Sequence, residues 1–332
     1  ISQVLVILSQ AAGIGRCWHC TANTRIQLQL QQWAEFACSG WRSLLQGSPT
    51  FFEQSESCTG GRRILLAFDF DQTMVDDNSD TSIKCLFASV NYPPHLNKLY
   101  DKYGWTIFMQ AVFKHLHDEN IKKEDILKCI RPMNLTPGMK ELIHLMSKPF
   151  IDCIIISDSN AVFIGEYLEA NGLGNVFTKV YTNPATFEGD LLKLEPYEQQ
   201  TGCDLCAVNI CKGSVLTQYV NEQQRDGVHY SHIGYLGDGR NDFCPSYCLK
   251  EHDAVFPRTG FALEKYIEKI RASKGLCLSA SVHPWANAAE IVAKVLLPWI
   301  DEIECVADFD NISQESKRLN QLPKLKLETS KR

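Results

Sequence analysis

The chain has 332 residues, of which 45% are hydrophobic and 22% are charged. This composition is typical of a soluble globular protein and excludes a disordered, collagen-like or fibrous repeat chain. The net charge of −6, from 33 basic and 39 acidic side chains, supplies no positive field for a phosphodiester backbone. We therefore expect no nucleic-acid partner. No run of about 18 apolar residues occurs, so the sequence predicts no membrane partner.

The 14 cysteines are too few for a small disulfide scaffold of this length. Cys85, Cys153 and Cys244 lie in apolar or motif-bearing stretches, where buried thiols are common. A reducing compartment and a cytoplasmic location follow as predictions. The apolar run Val4 to Leu8 is short and no basic residue precedes it, which argues against a signal peptide.

The two ends of the chain lack any alternation of strand and helix patterns. Residues 1–62 are predicted to be an irregular extension, and residues 301–332 a polar tail. Within the extension, Cys17 and Cys20 have the Cys-x-x-Cys spacing of zinc and redox sites. Because no second pair follows at a suitable distance, we interpret this spacing as coincidental.

Between the two ends, short apolar runs alternate with helical patterns. The predicted strands are Ile64 to Phe68, Ile151 to Ile156, Val180 to Thr182, Ile233 to Leu236 and Ala254 to Phe256. The predicted helices cover 137–147, 160–171, 213–225, 240–250, 261–272 and 286–299, the first with Thr136 as its N-cap and Pro137 as its first residue. This order predicts a doubly wound α/β fold with a parallel sheet that is covered on both faces.

The segment between the first two strands is too long for a single crossover connection. Helical patterns occur in it near 93–117 and 122–131. We therefore predict a core of residues 63–78 and 133–300, with an inserted helical cap over 79–132. The insert follows the first strand, at the sheet edge where open α/β folds bind their ligands.

Two carboxylates, Asp69 and Asp71, follow the first strand directly. In an extended chain their side chains point to the same side. Charge is costly at such a position unless a cation is bound. One chemistry that uses the pair is phosphoryl transfer, in which one Asp attacks phosphorus and the other protonates the leaving oxygen. An Asp-x-Asp pair alone is weak evidence, because surface turns often contain one.

Three further signals follow in order, each at a strand end or a helix start. Ser157 follows the second strand and offers a hydroxyl to a phosphate oxygen. Lys212 begins a helix and can neutralise phosphate charge. Asp238 and Asp242 follow another strand, with Gly237 and Gly239 beside them. We expect these groups to converge on one edge of the sheet.

The succession of DFDQT, ISDS, Lys and GDGRND resembles the haloacid dehalogenase superfamily of phosphohydrolases, over all of the region from Ile64 to Ile300. The resemblance implies Asp69 as nucleophile, Asp71 as general acid and base, and Ser157 with Lys212 as the phosphate-binding pair.

The resemblance also implies a bound Mg²⁺, whose ligands would be the Asp69 carboxylate, the Asp71 backbone carbonyl and Asp238. Asp242 would either bind the metal directly or support it. Hard oxygen ligands, completed by water and phosphate, match the preference of this ion. An Asp at position 71 indicates a phosphatase or, as the minority alternative, a phosphomutase.

Longer segments are similar to a narrower group, the phosphoethanolamine/phosphocholine phosphatases and pyridoxal phosphate phosphatases. They are DDNSDT from Asp76, CIIISDSN from Cys153, YTNPA from Tyr181, the Cys203-x-x-Cys206-x4-Cys211-Lys212 pattern, and GDGRNDFCP from Gly237. The DDNSDT and IIISDS segments favour pyridoxal 5′-phosphate as the substrate. The Asp-Phe-Cys-Pro segment favours the phosphoamine branch, which stays open.

Asp80 and Asp158 flank the expected pocket without being needed for phosphate or metal. Extra negative charge there suits a substrate that carries an ammonium group beside its phosphate. The alternative is that each caps a helix, Asp80 in the insert and Asp158 after the second strand. Both roles could hold together.

Cys203, Cys206 and Cys211 have a spacing that could bind zinc, with Cys244 or Cys248 as a distant fourth ligand. The alternative, which we favour at this point, is a set of free thiols in a long loop.

The sequence as a whole predicts a Mg²⁺-dependent phosphomonoesterase that acts on a small phosphate ester. A phosphate- or metal-binding module without catalysis is the rival from another class, but it would require a missing catalytic group, and none is missing. The oligomeric state is left open.

Overall fold

A six-stranded parallel sheet lies at the centre of the fold. It is described by a computed structural model, which covers residues 62–88, 90, 92–93, 96, 99, 104–273 and 277–305. In spatial order its strands are β3 (Lys179–Asn183), β2 (Ile151–Asn160), β1 (Arg63–Phe68), β6 (Tyr230–Gly237), β7 (Ala254–Pro257) and β8 (Ser281–Val282). The predicted α/β class is confirmed.

The strand order reverses beside β1. The chain passes from β1 to β2 and β3 on one side, and β6, β7 and β8 follow on the other side. Loops that leave the carboxyl ends of β1 and β6 therefore part in opposite directions and open a crevice between them. Doubly wound sheets bind their ligands at such a reversal.

The helices follow the predicted alternation with the strands. They are α1 (Ser79–Ser82), α2 (Trp105–Asp118), α3 (Lys123–Ile130), α4 (Met139–Met146), α5 (Ala161–Ala170), α6 (Lys212–Arg225), α7 (Phe243–Tyr247), α8 (Ala262–Ala272) and α9 (Ala289–Ile291). A 3₁₀ helix (Ile83–Ala88) follows α1, and another (Arg240–Asp242) precedes α7. The second of these occupies the start of the helix predicted over 240–250.

Alternate residues of β1 enter two separate apolar clusters, one on each face of the sheet. Ile64, Leu66 and Phe68 pack in one cluster with residues of α4, α5 and α9. Leu65 and Ala67 pack in the other with residues of α6 and α8. All five side chains are at most 1% exposed. Burial on both faces explains why the strand is a continuous apolar run.

The amino ends of the three central strands are joined by polar contacts. Arg63 of β1 donates two hydrogen bonds to the Asp152 carboxylate of β2, at 2.8 and 2.5 Å. Tyr230 of β6 donates its hydroxyl to the same carboxylate at 2.8 Å. The contact with Asp152 raises the pKa of the Arg63 guanidinium above its ordinary value. This triad fixes the relative alignment of β1, β2 and β6 at the edge of the sheet opposite the predicted site.

The helix predicted over 137–147, with Thr136 as its N-cap, begins later than expected. Gly138 is its N-cap, with a φ of 77°, and the first helical residue is Met139. The Thr136 hydroxyl donates to the carbonyl oxygen of Thr73 at 2.8 Å and lies two residues before the N-cap. The predictions of Thr136 as N-cap and Pro137 as first helical residue were therefore wrong.

A two-stranded antiparallel hairpin was not predicted. Its strands are β4 (Ala185–Glu188) and β5 (Leu191–Leu194), joined by Gly189 and Asp190. The Gln110 side chain of α2 holds β5, because it donates to the Leu192 carbonyl at 3.4 Å and accepts from the Leu194 N–H at 2.6 Å. The hairpin therefore packs against a helix of the predicted insert.

The C-terminal helix is longer than predicted. It begins at α9, passes through a π-helical segment (Val292–Leu296) and continues over 297–305. Residues 301–305 are thus helical, and Ile303 among them is buried. Residues 1–61, with the Cys17 and Cys20 pair and the apolar run at Val4, and residues 306–332 lie outside the described part of the chain. Helices α1, α2 and α3 occupy the predicted insert, but its division from the core stays a prediction.

Substituting Gly138 tests the junction between α4 and the start of α9. A Cβ there would lie 1.9 Å from Asn287 Oδ1 and 2.6 Å from the Ala289 nitrogen. Gly172 has a similar φ of 69°, but its Cβ would meet nothing within 4 Å. We expect Gly172→Ala to lower the free energy of unfolding by about 1 kcal/mol, and Gly138→Ala by about 3 kcal/mol or more. Urea denaturation measures both; equal losses would contradict the close approach.

Candidate active site

The predicted site residues converge on the carboxyl edge of the sheet. Asp69 follows β1, Ser157 lies in the last part of β2, Lys212 is the first residue of α6, and Asp238 follows β6. Strand β2 is longer than predicted, because it continues through Asn160 with a shift in its register to β3.

Lys212 is fully buried between two carboxylates. Its Nζ lies 2.8 Å from Asp69 Oδ2 and 2.8 Å from Asp242 Oδ1. Burial alone would lower the pKa of this amine, but Asp242 and Asp69 more than offset it, so its pKa is raised well above the ordinary value. Lys212 is therefore a permanent cation that joins the ends of β1 and β6 to the start of α6.

Asp242 is a carboxylate whose two oxygens both already accept hydrogen bonds. Oδ1 accepts from Lys212 and from the Tyr235 hydroxyl, at 2.8 and 2.7 Å. Oδ2 accepts from the backbone N–H groups of Asp238 and Gly239, at 3.1 and 2.9 Å. These contacts favour the supporting role for Asp242 over direct metal binding. They also explain why residue 237 is a glycine, because a Cβ at this position would lie 2.5 Å from Asp242 Cγ.

Carboxylate oxygens of Asp69, Asp238 and Asp242 lie within 4.8 Å of one another. Burial and the Asp242 charge raise the pKa of Asp69 well above its usual range, and they raise that of Asp238 to about 7. Closely spaced acids with raised pKa values indicate an uncompensated negative charge. Hard oxygen donors in this arrangement fit a divalent cation.

The Asp71 carboxylate is oriented by Ser79, the first residue of α1. Oδ1 accepts from the Ser79 N–H at 2.8 Å, and Oδ2 accepts from its hydroxyl at 3.0 Å. Burial and the nearby Asp80 charge raise the pKa of Asp71 well above its usual range, although the bonds from Ser79 oppose this shift. A carboxyl group in this state can hold a proton near neutral pH, as a general acid must.

Serine hydroxyls line the end of β2. Ser157 is fully buried, and its Oγ accepts from the Ser159 N–H at 3.2 Å. The Ser159 Oγ lies 2.7 Å from the Ser79 Oγ. The chain of contacts runs from Ser159 through Ser79 to Asp71, so the predicted phosphate-binding strand and the predicted acid are positioned together.

Asp80 is buried beside Trp105 of α2. Its Oδ2 accepts from the Trp105 indole N–H at 2.5 Å, whereas its buried Oδ1 has no hydrogen-bond partner. Burial raises the pKa of Asp80 to about 7. The predicted alternative that Asp80 caps a helix is wrong, because Asn78 is the N-cap of α1 and accepts from the Thr81 N–H at 2.9 Å.

A cavity of about 460 Å³ opens beside Asp80. Its lining is mainly apolar and aromatic, and includes Phe87, Tyr92, Trp105 and Phe108. Asp80 is the acidic residue among those that line this pocket, and it directly follows Ser79, which orients Asp71.

Asp158 does not cap the helix after β2 either. Asn160 is that N-cap, and its Oδ1 accepts from the Phe163 N–H at 3.0 Å. The Asp158 carboxylate accepts from the Asn241 side chain at 3.1 Å, and its backbone carbonyl accepts from Asn183 at 2.7 Å. Asp158 thus connects β2 to the segment that carries Asp242.

Several residues of the site were not predicted. Ser79 lies within the DDNSDT segment, so the sequence contained a signal for it. Tyr235 was assigned only to a buried strand. Arg258 donates to the Gln72 carbonyl at 2.6 Å and pairs with Asp76, so it holds the loop that follows Asp71. No local motif marks Arg258.

The raised pKa of Asp80 makes a prediction about stability. In the folded chain this carboxyl titrates at about 7, whereas in the unfolded chain it titrates at about 4. The folded state therefore binds the extra proton, and the contribution of Asp80 to stability falls as the pH rises through this window. Asp80→Asn removes the titration, while the amide oxygen can still accept from Trp105.

We expect the variant to gain stability relative to the wild type by about 1–3 kcal/mol between about pH 4 and pH 7, measured by urea denaturation. The control is Asp118→Asn. Asp118 is exposed, and Lys114 holds the pKa of its carboxyl below the usual range, so its contribution is complete above about pH 5 and the difference should stay flat. Parallel curves for Asp80→Asn and the wild type would refute the burial effect.

No helix in the described part of the chain is both long and apolar enough to cross a bilayer.

Comparison with known proteins assigns the family. Residues 64–300 match the model of the family described as "Putative Phosphatase". Pyridoxal phosphate phosphatase PHOSPHO2 of Bos taurus is 42% identical over 234 residues, which cover 70% of this chain and 96% of that protein. Its Homo sapiens counterpart is 41% identical over 235 residues, with the same coverage of both chains.

The phosphoethanolamine/phosphocholine phosphatase of Homo sapiens is 35% identical over 235 residues, which cover 70% of this chain and 88% of that protein. The chain therefore belongs to this family of phosphatases.

Proposed function

We propose that the protein is a Mg²⁺-dependent phosphomonoesterase in which Asp69 attacks the phosphorus of a small phosphate ester. The observation that carries this proposal is the set of contacts that the Asp69 carboxylate makes. Asp69 lies at the end of β1, where the strand order of the sheet reverses. Its Oδ1 accepts from the Phe70 N–H at 2.7 Å, and its Oδ2 contacts Lys212 at 2.8 Å. Both oxygens are held in place, and each keeps a lone pair for attack.

In the first step an Asp69 oxygen forms a bond to phosphorus, and the bond between phosphorus and the substrate oxygen breaks. Asp71 donates its proton to the leaving oxygen, which departs as an alcohol. In the second step Asp71 takes a proton from water, and that water attacks the phosphorus of the Asp69 phosphoryl group. Inorganic phosphate leaves and the Asp69 carboxylate is restored.

The other predicted residues act on the phosphate and the charge around it. Lys212 and Ser157 would hold phosphate oxygens. Asp69, the Asp71 carbonyl and Asp238 would hold Mg²⁺, with Asp242 supporting the arrangement through Lys212 and the backbone of Asp238. When bound, this ion neutralises charge on the phosphate oxygens. The excess of carboxylates around one lysine supports a divalent rather than a monovalent ion.

We propose pyridoxal 5′-phosphate as the first candidate substrate. Two relatives named pyridoxal phosphate phosphatase are 42% and 41% identical to this chain. The aromatic side chains beside Asp80 would pack against a flat ring. We also propose a cytoplasmic location for the protein, which the cysteine pattern predicts.

Phosphoethanolamine and phosphocholine are the second candidate, and the Asp80 carboxylate favours them. Aromatic side chains beside a buried carboxylate suit an ammonium group, although Lys84 also lines this pocket. The relative named phosphoethanolamine/phosphocholine phosphatase is 35% identical to this chain.

Asp69→Asn tests the mechanism. In the full chain with Mg²⁺, we expect phosphate release to fall by at least about 1000-fold, because the amide is a poor nucleophile. The variant keeps the contact between Lys212 and Asp242, and its amide oxygen can still accept from Lys212, so the chain should stay folded although the free energy of unfolding falls by up to about 3 kcal/mol. The exposed Asp118→Asn should keep the wild-type rate. A wild-type rate for Asp69→Asn would exclude this nucleophile.

Asp80→Asn tests the substrate. We would measure kcat/KM for pyridoxal 5′-phosphate, phosphoethanolamine and phosphocholine with the wild type and the variant. If pyridoxal 5′-phosphate is the substrate, it is hydrolysed fastest and the variant changes its rate by less than about 3-fold. Preference for the phosphoamines, lost by about 10-fold or more in the variant, would make Asp80 the ammonium contact and overturn the first candidate.

A further inference from the structure

Four cysteines from two distant parts of the chain meet behind the catalytic edge. The Sγ atoms of Cys203, Cys206, Cys211 and Cys244 all lie within 4.8 Å of one another. Cys244 is the centre of the group, with its Sγ 3.5 Å from that of Cys203 and 3.9 Å from that of Cys211. All four are free thiols. This cluster, which we call the four-cysteine cluster, is separate from the carboxylates of the proposed mechanism.

We propose that the four-cysteine cluster binds one structural zinc ion. A zinc ion bound to four thiolates has bonds of about 2.3 Å at tetrahedral angles, which places the sulfur atoms about 3.8 Å apart. The measured separations from Cys244 are close to this value. Four sulfur ligands select zinc over the hard cations that carboxylates bind, and they leave no open position for a substrate.

The fourth ligand is Cys244 and not Cys248, the other candidate that the sequence offered. The Cys248 Sγ is directed to the Cys244 carbonyl oxygen, at 3.4 Å, one helical turn away on α7. Cys244 lies within the cluster because α7 packs against the start of α6, where a Cβ on Gly213 would be only 2.6 Å from the Cys244 sulfur. Gly213 thus allows the close approach that completes the cluster.

The loop that supplies three of the cysteines folds back on itself, since the Glu198 and Gln200 N–H groups donate to the Asn209 and Val208 carbonyls, both at 3.0 Å. Residues 195–211, between β5 and α6, contain no helix or strand, and structureless connections of this length are uncommon in compact domains. Gln200 shapes the turn at Cys203: its side chain accepts from the Cys203 N–H at 2.9 Å and donates to the Ala207 carbonyl at 2.8 Å. A bound ion would add to these hydrogen bonds a cross-link between the loop and Cys244 of α7.

The cluster lies beside the buried ion pair of the proposed site. Cys211 is the N-cap of α6, a helix of 14 residues. The proposed ion would also stabilise the adjoining lysine. Cys211 directly precedes Lys212, and Cys244 follows Asp242 by two residues. A zinc ion bound to these cysteines would therefore help to keep Lys212 and Asp242 in contact.

The test is the zinc content of the full chain. We would remove loosely bound metal by gel filtration with a weak chelator, and then measure zinc by native mass spectrometry and by elemental analysis. We expect about one zinc ion per chain. Cys203→Ser with Cys206→Ser should lose it. The matched control is Cys17→Ser with Cys20→Ser, which removes a pair of the same spacing and should keep it.

Several results would overturn the proposal. They are a wild-type chain without zinc, a disulfide within the cluster found by peptide mapping, iron in place of zinc, or zinc lost from the control and kept in the Cys203 and Cys206 variant. If that variant does not fold, Co²⁺ exchange into the wild type decides. Tetrahedral thiolate coordination gives intense sulfur-to-cobalt charge-transfer bands, and their absence would refute the site. None of these measurements depends on the substrate or on Asp69.

Discussion

The site depends on a buried amine placed between two buried carboxylates. An ammonium group that is removed from water is strongly destabilising unless opposite charges contact it directly. Lys212 meets this condition only when the end of β1 supplies Asp69 and the segment after β6 supplies Asp242. The fold therefore has to bring three chain segments into register before this charge is tolerated. The same contacts place the proposed nucleophile, the proposed phosphate-binding cation and the proposed metal-binding edge next to one another.

The supporting contacts divide the acidic residues by task. Asp242 has both oxygens engaged by Lys212, Tyr235 and two backbone N–H groups, so it acts as a fixed counter-charge. Asp69 has one hydrogen bond at Oδ1, from the Phe70 N–H, and one ion-pair contact at Oδ2, with Lys212, so it keeps the capacity to react. Residues of similar charge within 5 Å thus differ in chemistry because their hydrogen-bond partners differ. The Asp242 carboxylate is a fully satisfied acceptor, whereas the Asp69 carboxylate is only partly satisfied.

Much of this was predictable from the sequence, because polar residues that end apolar runs mark the carboxyl edge of a parallel sheet. Asp69, Lys212 and Asp238 lie where that rule placed them. The caps were harder, since Asp80 and Asp158 each have a competing asparagine two residues away, Asn78 and Asn160, and local sequence does not rank them. The hairpin was missed although Gly189 and Asp190 form a recognisable two-residue turn.

Long-range partners could not be predicted at all. Tyr235 contacts Asp242 only because a strand end and the following turn fold back on each other, and Arg258 reaches the loop after Asp71 from another strand. The choice of Cys244 over Cys248 likewise depends on how two helices pack. Spacing along the chain carries no information about such approaches.

The triad of Arg63, Asp152 and Tyr230 determines where a shortened chain can begin. Asp152 lies in the middle of three strands and is mostly removed from water. A fragment that begins at Ile64 would leave this carboxylate with the Tyr230 hydroxyl as its remaining partner, and it would also lose the first ladder contact of β1 with β6. Arg63 is therefore the amino-terminal limit of a fragment that keeps the central strands aligned, whatever the role of the residues that precede it.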